Sequence, residues 1–499
     1  MSIHNDKGPN ILLVTADQFR GDCLGCSGNK IIQTPNYDKL AAQGVYFSRA
    51  YSPDPICIPG RACMITGNYP HKCTGIKNNG GQVKDDQIKL PQLLTDNGYE
   101  TYASGKLHYV PYTPPGEPDN LNGFQHAALA ESGRILKLYD PQGKLRGVEA
   151  YADYLKDVGW GGYVRGHGIG NNDIHPGTSP LPEEHFVDAW VATQAMKFLD
   201  YHRENHNDKP FYLNVGFPKP HAPYDPPRPW DSMYDPREVP APFVNRDGKS
   251  RNPHGLRTAI AHGVPLFSPE TIQSTRAHYY GLISFQDKQL GRLMQYLEDN
   301  GLSENTIVLF VADHGDMMGD FGWFFKCVMN EGSCRIPFMI RYPGEIPDGR
   351  VSEEFVGLQD IVPTLAGLLN IELPGKVDGI DLTPLLKAKD FTGREYFVSY
   401  SMDPPNQTYM VRTDCWKYIY SENNGVEEFY DMVHDPNEEW NLIDKVEFRE
   451  KIAAHRAKMI QWAKENKDIQ ILDNEKPVKT EIDTSSFEFN VNSMGWRWY

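Results

Sequence analysis

Two runs of the chain are apolar almost throughout and stop at a carboxylate: Ile11 to Ala16 closes on Asp17, and Ile307 to Ala312 closes on Asp313. A run with no polar face predicts a strand buried on both sides, and open α/β sheets place ligands at the C-terminal ends of such strands. Asp17 and Asp313 are therefore expected at one edge of one sheet. Phe211 to Phe217 and Phe338 to Tyr342 are further strands. Between the strands the rhythm turns helical. Thr34-Pro35 opens a helix that stops at Gly44; Ser268-Pro269 opens a longer one, with Leu282, Ile283, Leu290, Leu293, Met294 and Leu297 at helical spacing before Asn300-Gly301. Alternating strands and helices predict a layered α/β domain.

Two stretches break this rhythm, 109–182, rich in Gly, Tyr and Pro, and 222–269, with seven prolines from Pro223 to Pro242. Loops this long in a compact domain are usually functional, so both are read as pocket walls. Beyond Lys387 short strands of antiparallel type follow (396–400, 408–412, 416–420 and 428–432), then a helix over 446–463. The expected organisation is a catalytic domain over 1–387, a smaller α+β domain over 388–466 and a tail over 467–499. That tail ends in Trp496, Trp498 and Tyr499, aromatics suited to docking on a second copy of the chain, as a homo-oligomer, or to packing on their own domain.

With 39% hydrophobic and 23% charged positions over 499 residues, composition excludes a disordered chain. No apolar run approaches the roughly 20 residues that span a bilayer. The first residues lack the basic cap and apolar core of a secretory signal, so a cytoplasmic location and no membrane association are expected. Fifty Lys and Arg against 66 Asp and Glu give a net charge of −16, which argues against nucleic acid; a small anionic substrate needs a locally cationic pocket. Eight cysteines are too few for a disulfide framework, and Cys23 with Cys26, lacking a second pair, reads as structural rather than as half a zinc site.

Asp17, Gln18, Asp313 and His314 offer oxygen and imidazole ligands from two strand ends, with Asp316 close by. Two carboxylates at one edge repel unless a cation lies between them, and an oxygen-rich set favours Ca²⁺, Mg²⁺ or Mn²⁺ over zinc. The segment from Cys57 to Gly67 adds a second chemistry. Pro59 favours a helix beginning just after Cys57, setting the side chain at a helix N-terminus with Arg61 one turn on, a field suited to an anion. A cysteine there is either a nucleophile of lowered pKa or a buried, inert thiol. Asn78 either points towards this site or belongs only to the turn 78–81.

Cys57, Pro59, Arg61 and Thr66-Gly67 together resemble the signature of the sulfatase family, Cys-x-Pro-x-Arg followed by Thr-Gly, with Gly60 where Ser or Ala is more usual. Asp17-Gln18 with Leu24, Gly25 and Cys26 is similar to the family's opening metal motif, Gly105 to His108 to its Gly-Lys-x-His, and Pro220 to Pro223 to its next histidine segment. Ala312 to Asp316 resembles the Asp-His-Gly element, with His314 where many members have Asn. Lys326 and the stretch from Glu331 to Pro337 resemble the lysine and Glu-x-x-x-Arg-x-Pro that follow, and Glu428 to Met432, Asp435-Pro436 and Glu439 to Leu442 resemble the C-terminal signature. Seven such matches, in order, cover nearly the whole chain.

The resemblance implies an alkaline-phosphatase-like α/β fold, a large mixed sheet sandwiched by helices, with a smaller C-terminal α+β domain carrying an antiparallel sheet. It implies hydrolysis of a sulfate ester on a sugar or aryl alcohol. Cys57 would be oxidised to Cα-formylglycine by a maturation enzyme, its hydrated aldehyde being the nucleophile. A divalent cation, Ca²⁺ by family default with Mn²⁺ or Mg²⁺ as alternatives, would be held by Asp17, Gln18, Asp313, His314 and the modified Cys57. Lys106 and Lys326 would take the remaining sulfate oxygens and Arg61 the formylglycine oxygens; His221 would protonate the leaving alcohol, and His108 would take the proton whose loss releases sulfate. The related alternative is a phosphonate monoester or phosphodiester hydrolase, which Gln18 and His314 fit and Lys106 opposes; a non-catalytic binder of sulfated glycan is the third reading. Substrate choice is expected in the two long stretches, with Tyr109, Tyr112, Trp160, Tyr163, Tyr224 and Trp230 as candidates to stack on a ring.

Overall fold

All eight residues of β1 (Asn10–Asp17) are buried, because the strand lies inside a sheet with neighbours on both edges. The computed structural model describes residues 8–117, 120–247 and 252–488. Along the chain follow β2 (Val45–Phe47), β3 (Ala50–Tyr51), β4 (Glu100–Gly105), β5 (His126–Leu129), β6 (Phe211–Pro220), β7 (Thr306–Ala312), β8 (Phe338–Arg341), β9 (Arg350–Ser352) and β10 (Val356–Gly357). Eight of these form one sheet in the order β5-β4-β6-β1-β7-β8-β2-β9, while β3 pairs with β10 beside it. β1 runs parallel to β6 and β7, with Ala16 opposite Ala312, so Asp17 and Asp313 leave the sheet side by side. β8 is antiparallel to both β7 and β2, which makes the sheet mixed.

The helix Pro269–Asp299 starts where Ser268 accepts a hydrogen bond from the Thr271 amide, and it buries Leu282, Ile283, Leu290, Leu293 and Leu297. Gln286 on its buried side ties three elements together: its amide donates to the Lys219 carbonyl at 2.7 Å and to Asp188 at 3.0 Å, and its oxygen accepts from Tyr37 at 2.8 Å. Asp188, in the first turn of the helix Val187–Asn205, is fully buried, and burial pushes its carboxyl up to about 7. An open-chain Asp has lost its proton above about 3.9. The fold therefore holds a proton that the unfolded chain does not, and this contribution to stability falls as pH rises towards 7. Asp188→Asn, isosteric with the protonated acid, is expected to gain on the wild type as pH rises from 5 to 8, by at most about 1.4 kcal/mol per pH unit. Thermal melts across that range check this; a constant difference would mean that Asp188 does not titrate there.

The two stretches read as loops are partly ordered. The first contains β5 and the helices Arg134–Tyr139 and Ala150–Asp157; the second contains the helix Pro253–Ala261. The helix Ala150–Asp157 buries only Tyr151 and Leu155, one turn apart, too short a stripe to register as a period. In the other stretch a start signal is present, since Asn252 accepts from the His254 and Gly255 amides and Pro253 takes the first helical position, but it is hidden among the neighbouring prolines.

β11 (Phe397–Ser401), β12 (Thr408–Arg412), β13 (Trp416–Ser421) and β14 (Val426–Asp431) form an antiparallel sheet in that order, covered by the helix Arg449–Glu465 through Ile452, Met459 and Trp462. Buried ion pairs fasten it to the larger sheet's loops. Lys77 meets Asp468 at 2.8 Å, and Lys417 meets Glu331 at 2.6 Å while also pairing with Glu438 of its own unit at 2.6 Å. Residues 467–488 pack on this same unit: Asp468 and Ile471 are buried, and Tyr420 donates to the Val478 carbonyl at 2.7 Å. Trp496, Trp498 and Tyr499 lie outside the described residues.

Candidate active site

The parallel register of β1 and β7 delivers Asp17, Gln18, Asp313 and His314 to one buried point. Gln18 adopts φ 70°, an unusual backbone for a side chain of its size, and is held there from three directions. Its amide N–H donates to Asp313 Oδ1 at 3.1 Å, its Nε2 donates to Asp316 Oδ2 at 2.5 Å, and its Oε1 accepts from Lys326 Nζ at 2.5 Å. Asp316 also accepts from Tyr224, which is wholly buried. Asp316 thus orients Gln18, and Tyr224 is a strut rather than a stacking surface.

Cys57 is the first residue of the buried helix Cys57–Thr66, which ends at Gly67 in the left-handed region. Asn79, not Asn78, turns to this helix and accepts from the Ile58 amide at 3.1 Å, while Asn78 pairs with Asp403 in the C-terminal unit. Gly60 sits close to two carbonyls: a Cβ there would stand 3.0 Å from that of Asp313 and 3.2 Å from that of Asp54, a tight contact. The helix therefore lies directly against the strand end that carries Asp313. Cys57 Sγ is 3.1 Å from His314 Nε2 and 3.8 Å from Asp17 Oδ1. Burial alone would raise the thiol's pKa, but the charges of Lys326, His314 and Lys106 outweigh it and bring the group down to about 7.

Two cations answer the two carboxylates. Lys106 Nζ pairs with Asp17, and Arg61 Nε lies 2.8 Å from Asp313 Oδ2. Burial opposes the charge of Asp17, yet Lys106, His221, Arg61 and Lys326 hold it well below the usual carboxylate range. Arg61 Nη1 also donates to the Lys106 carbonyl at 3.1 Å. The strands supporting Lys106 run close together in parallel: Gly105 has φ 94°, and a Cβ on it would fall 2.1 Å from the Gly216 carbonyl.

His108 and His221 are both buried. The Leu107 and His108 amides donate to Glu131 Oε1 at 2.8 and 2.9 Å, which fixes the turn after β4, and His108 Nδ1 has no hydrogen-bond partner among the described residues. Burial, then Lys106, Arg134 and Arg61, push His108 far below the ordinary histidine value. His221 follows the end of β6, and its Nδ1 pairs with the Ala222 carbonyl at 2.8 Å; with the proton on Nδ1, Nε2 carries the lone pair. Burial and Lys326 hold it well down too. Glu131 and Asn79 carry no signal in the sequence. Both lie in segments with no periodicity, and only the fold brings them to the site.

Ligand atoms of Asp17, Cys57, Asp313 and His314 lie within 4.8 Å of one another. Two buried carboxylates, an imidazole nitrogen and the adjacent Gln18 amide make a donor set that fits a hard or borderline divalent cation. The other convergence of this kind among the described residues, Glu100, His126 and His206, sits at the opposite end of β4, where Lys209 already meets Glu100 at 2.8 Å. Cys23 and Cys26 belong to neither set, and burial raises Cys26 to about 12, the behaviour of an inert thiol.

Residues 9–371 match the family model for sulfatase, and residues 319–467 that for the C-terminal part of N-sulphoglucosamine sulphohydrolase. An arylsulfatase of Clostridium perfringens is 32% identical over 89% of this chain and 92% of its own length. Among solved structures, the phosphonate monoester hydrolase of Agrobacterium radiobacter superposes with a TM-score of 0.76 at 24% identity, covering 95% of this chain and 99% of that one. A protein solved with its substrate D-glucosamine-2-N,6-O-disulfate gives 0.74 at 22% identity, over 93% of this chain and 99% of the other. These likenesses share the alkaline-phosphatase-like arrangement of a large mixed sheet between helices with a C-terminal antiparallel sheet. The match over most of the chain, together with the arylsulfatase likeness, establishes that this chain belongs to the sulfatase family of hydrolases.

Proposed function

We propose that this enzyme hydrolyses sulfate monoesters of a sugar or aryl alcohol through a formylglycine formed from Cys57, with a divalent cation held by Asp17, Gln18, Asp313, His314 and the modified Cys57. The observation that carries this reading is the placement of Cys57 Sγ, 3.1 Å from His314 Nε2 at the start of a buried helix. The cation, Ca²⁺ first and Mn²⁺ or Mg²⁺ as alternatives, supplies Lewis acidity, and the hydrated aldehyde supplies the nucleophilic oxygen. Maturation then requires a formylglycine-generating partner that reads the segment around Cys57. Lys106 and Lys326 neutralise the remaining sulfate oxygens, and Arg61 orients the group at position 57 while balancing Asp313. His108, neutral at neutral pH, is suited to accept a proton at a ring nitrogen. His221 Nε2 delivers one to the departing alcohol; the anionic ester raises its proton affinity against the burial that lowers it. The arylsulfatase relative and the disulfated glucosamine complex support a phenol or sugar alcohol as leaving group.

The second reading is phosphonate monoester or phosphodiester hydrolysis. The likeness to the Agrobacterium radiobacter enzyme favours it, as does the resemblance of Gln18 and His314 to that branch's metal-binding residues. Lys106 weighs against it, because a full positive charge beside Asp17 matches the more numerous terminal oxygens of a sulfate monoester. Rates on the sulfate monoester and a phosphodiester of 4-nitrophenol decide the matter. The expected outcome is a kcat/KM at least about tenfold higher on the sulfate, a margin of about 1.4 kcal/mol in transition-state binding. A phosphodiester preference would overturn the sulfatase reading.

A further inference from the structure

Beside His221 opens a cavity of about 1030 Å³, large enough for a sugar ring with its substituents. Its apolar wall includes Tyr151, Leu155 and Phe186; none of the six aromatics expected from the sequence lines it. Its polar lining runs against the chain's net charge of −16. Lys137, Lys144, Lys156, Arg165 and Lys219 face Asp140, Glu149 and Asp225 across it. Lys219 and Asp225 are spent on each other in a buried pair. Asp140 is occupied with the Lys144 and Leu145 amides at 3.0 and 2.7 Å, and Lys156 with the Leu145 carbonyl and Asp153. Lys137 makes no ion pair among the described residues, and Arg165 binds Asn171 at 3.1 Å with its other end 3.9 Å from Asp225. The cavity is therefore locally cationic.

Glu149 lies in the wall of this cavity and keeps its charge off it. It is 5% exposed, its Oε1 accepts from the Glu131 amide at 3.2 Å, and its Oε2 has no partner among the described residues. Burial, with the nearby charge of Glu131, raises this carboxyl to about 8, so at neutral pH it holds a proton. Through Glu131 the same group connects the cavity with the His108 amide.

We propose that this cavity binds the leaving group of the ester, and that the preferred leaving group is a sugar bearing a second anion, a carboxylate or a further sulfate, met by Lys137 and Arg165. This rests on the assignment of His221 as the group facing the departing alcohol. Binding two charges in one substrate explains why an acidic chain concentrates cations on both sides of His221.

The test is competition against 4-nitrophenyl sulfate turnover by protein shown to carry the aldehyde, using two matched pairs. One pair is glucosamine 6-sulfate with an N-sulfate or an N-acetyl group, and the other is the 2-sulfate of glucuronic acid or of glucose. The member with the second anion is expected to compete about tenfold better in at least one pair, equivalent to about 1.4 kcal/mol; the pair that responds identifies the anion. In the double variant Lys137→Ala, Arg165→Gln the ratio is expected to fall within about twofold of unity. Because the ratio is internal to each variant, a general loss of activity does not affect it. Lys137→Ala alone, at an exposed position, keeps the test open if the double variant fails to fold and is expected to lose about threefold of the preference. Equal competition in both pairs, or a preference that survives the variants, overturns the proposal. If aldehyde-bearing protein fails to turn over 4-nitrophenyl sulfate, it is the sulfatase reading that fails, and calorimetric binding of the same four sugars then decides on the cavity.

Discussion

Replacing Cys57 by alanine is expected to lower sulfate-ester turnover by about 10⁴-fold or more, the scale of losing a covalent nucleophile. The position is hard to substitute for. Cys57 is wholly enclosed between His314, Asp17 and the fields of Lys326 and Lys106, so water has no equivalent place from which to attack. The measurement is kcat on 4-nitrophenyl sulfate for wild type and Cys57→Ala, each produced with a competent maturation enzyme. It is joined to the mass of the tryptic peptide from Ala50 to Arg61, which contains Cys57 and no other cysteine. In active wild type a fraction of this peptide should carry the aldehyde or its hydrate. A variant retaining turnover within tenfold, or an active wild type whose peptide is thiol throughout, would remove Cys57 as the source of the nucleophile.

Lys106→Ala is expected to act on stability and on rate together. Lys106 and Asp17 are both fully buried and paired, and removing one partner of such a pair leaves an uncompensated charge at a cost of about 3–5 kcal/mol. Loss of a preorganised positive charge aimed at the reacting group should also lower kcat/KM on a sulfate ester by about 10²–10³-fold. The two effects separate on adding a divalent cation. A cation bound at Asp17 and Asp313 replaces the missing charge, so Ca²⁺ should raise the melting temperature of the variant more than that of the wild type, while the rate stays low. Equal shifts in both proteins would mean that the cation does not bind against Asp17.

Much of the site is legible before folding because its chemistry is carried by short segments. Asp17-Gln18 and Asp313-His314 end apolar runs, and the cysteine segment holds Cys57, Pro59 and Arg61 within one helical turn and a half. Strands and helices with strong patterns fall near where the sequence places them, as β7 and the helix Pro269–Asp299 do. What escapes is whatever has no period of its own. The helix Ala150–Asp157 has a two-residue stripe, and Glu131 sits in a Gly- and Tyr-rich stretch with no motif, yet one lines the cavity beside His221 and the other fixes the turn that carries His108.

By itself, then, the sequence determines the reacting groups and the ends of the strands that bear them, since a carboxylate after an unbroken apolar run can lie only at the rim of a buried sheet. The tertiary structure alone decides how those groups are paired. Lys106 answers Asp17, Arg61 answers Asp313, and Asp316 with Lys326 clamps Gln18. These partners are 89 to 308 residues apart in the chain. Such pairings depend on parallel register and on close backbone approach, as at Gly105, where a side chain would strike the Gly216 carbonyl. The same is true of the cationic cavity. Its lysines and arginine are unremarkable along the chain and acquire a common direction only when three helices and the end of β6 enclose one space, because an electrostatic field is a sum over positions and not over sequence.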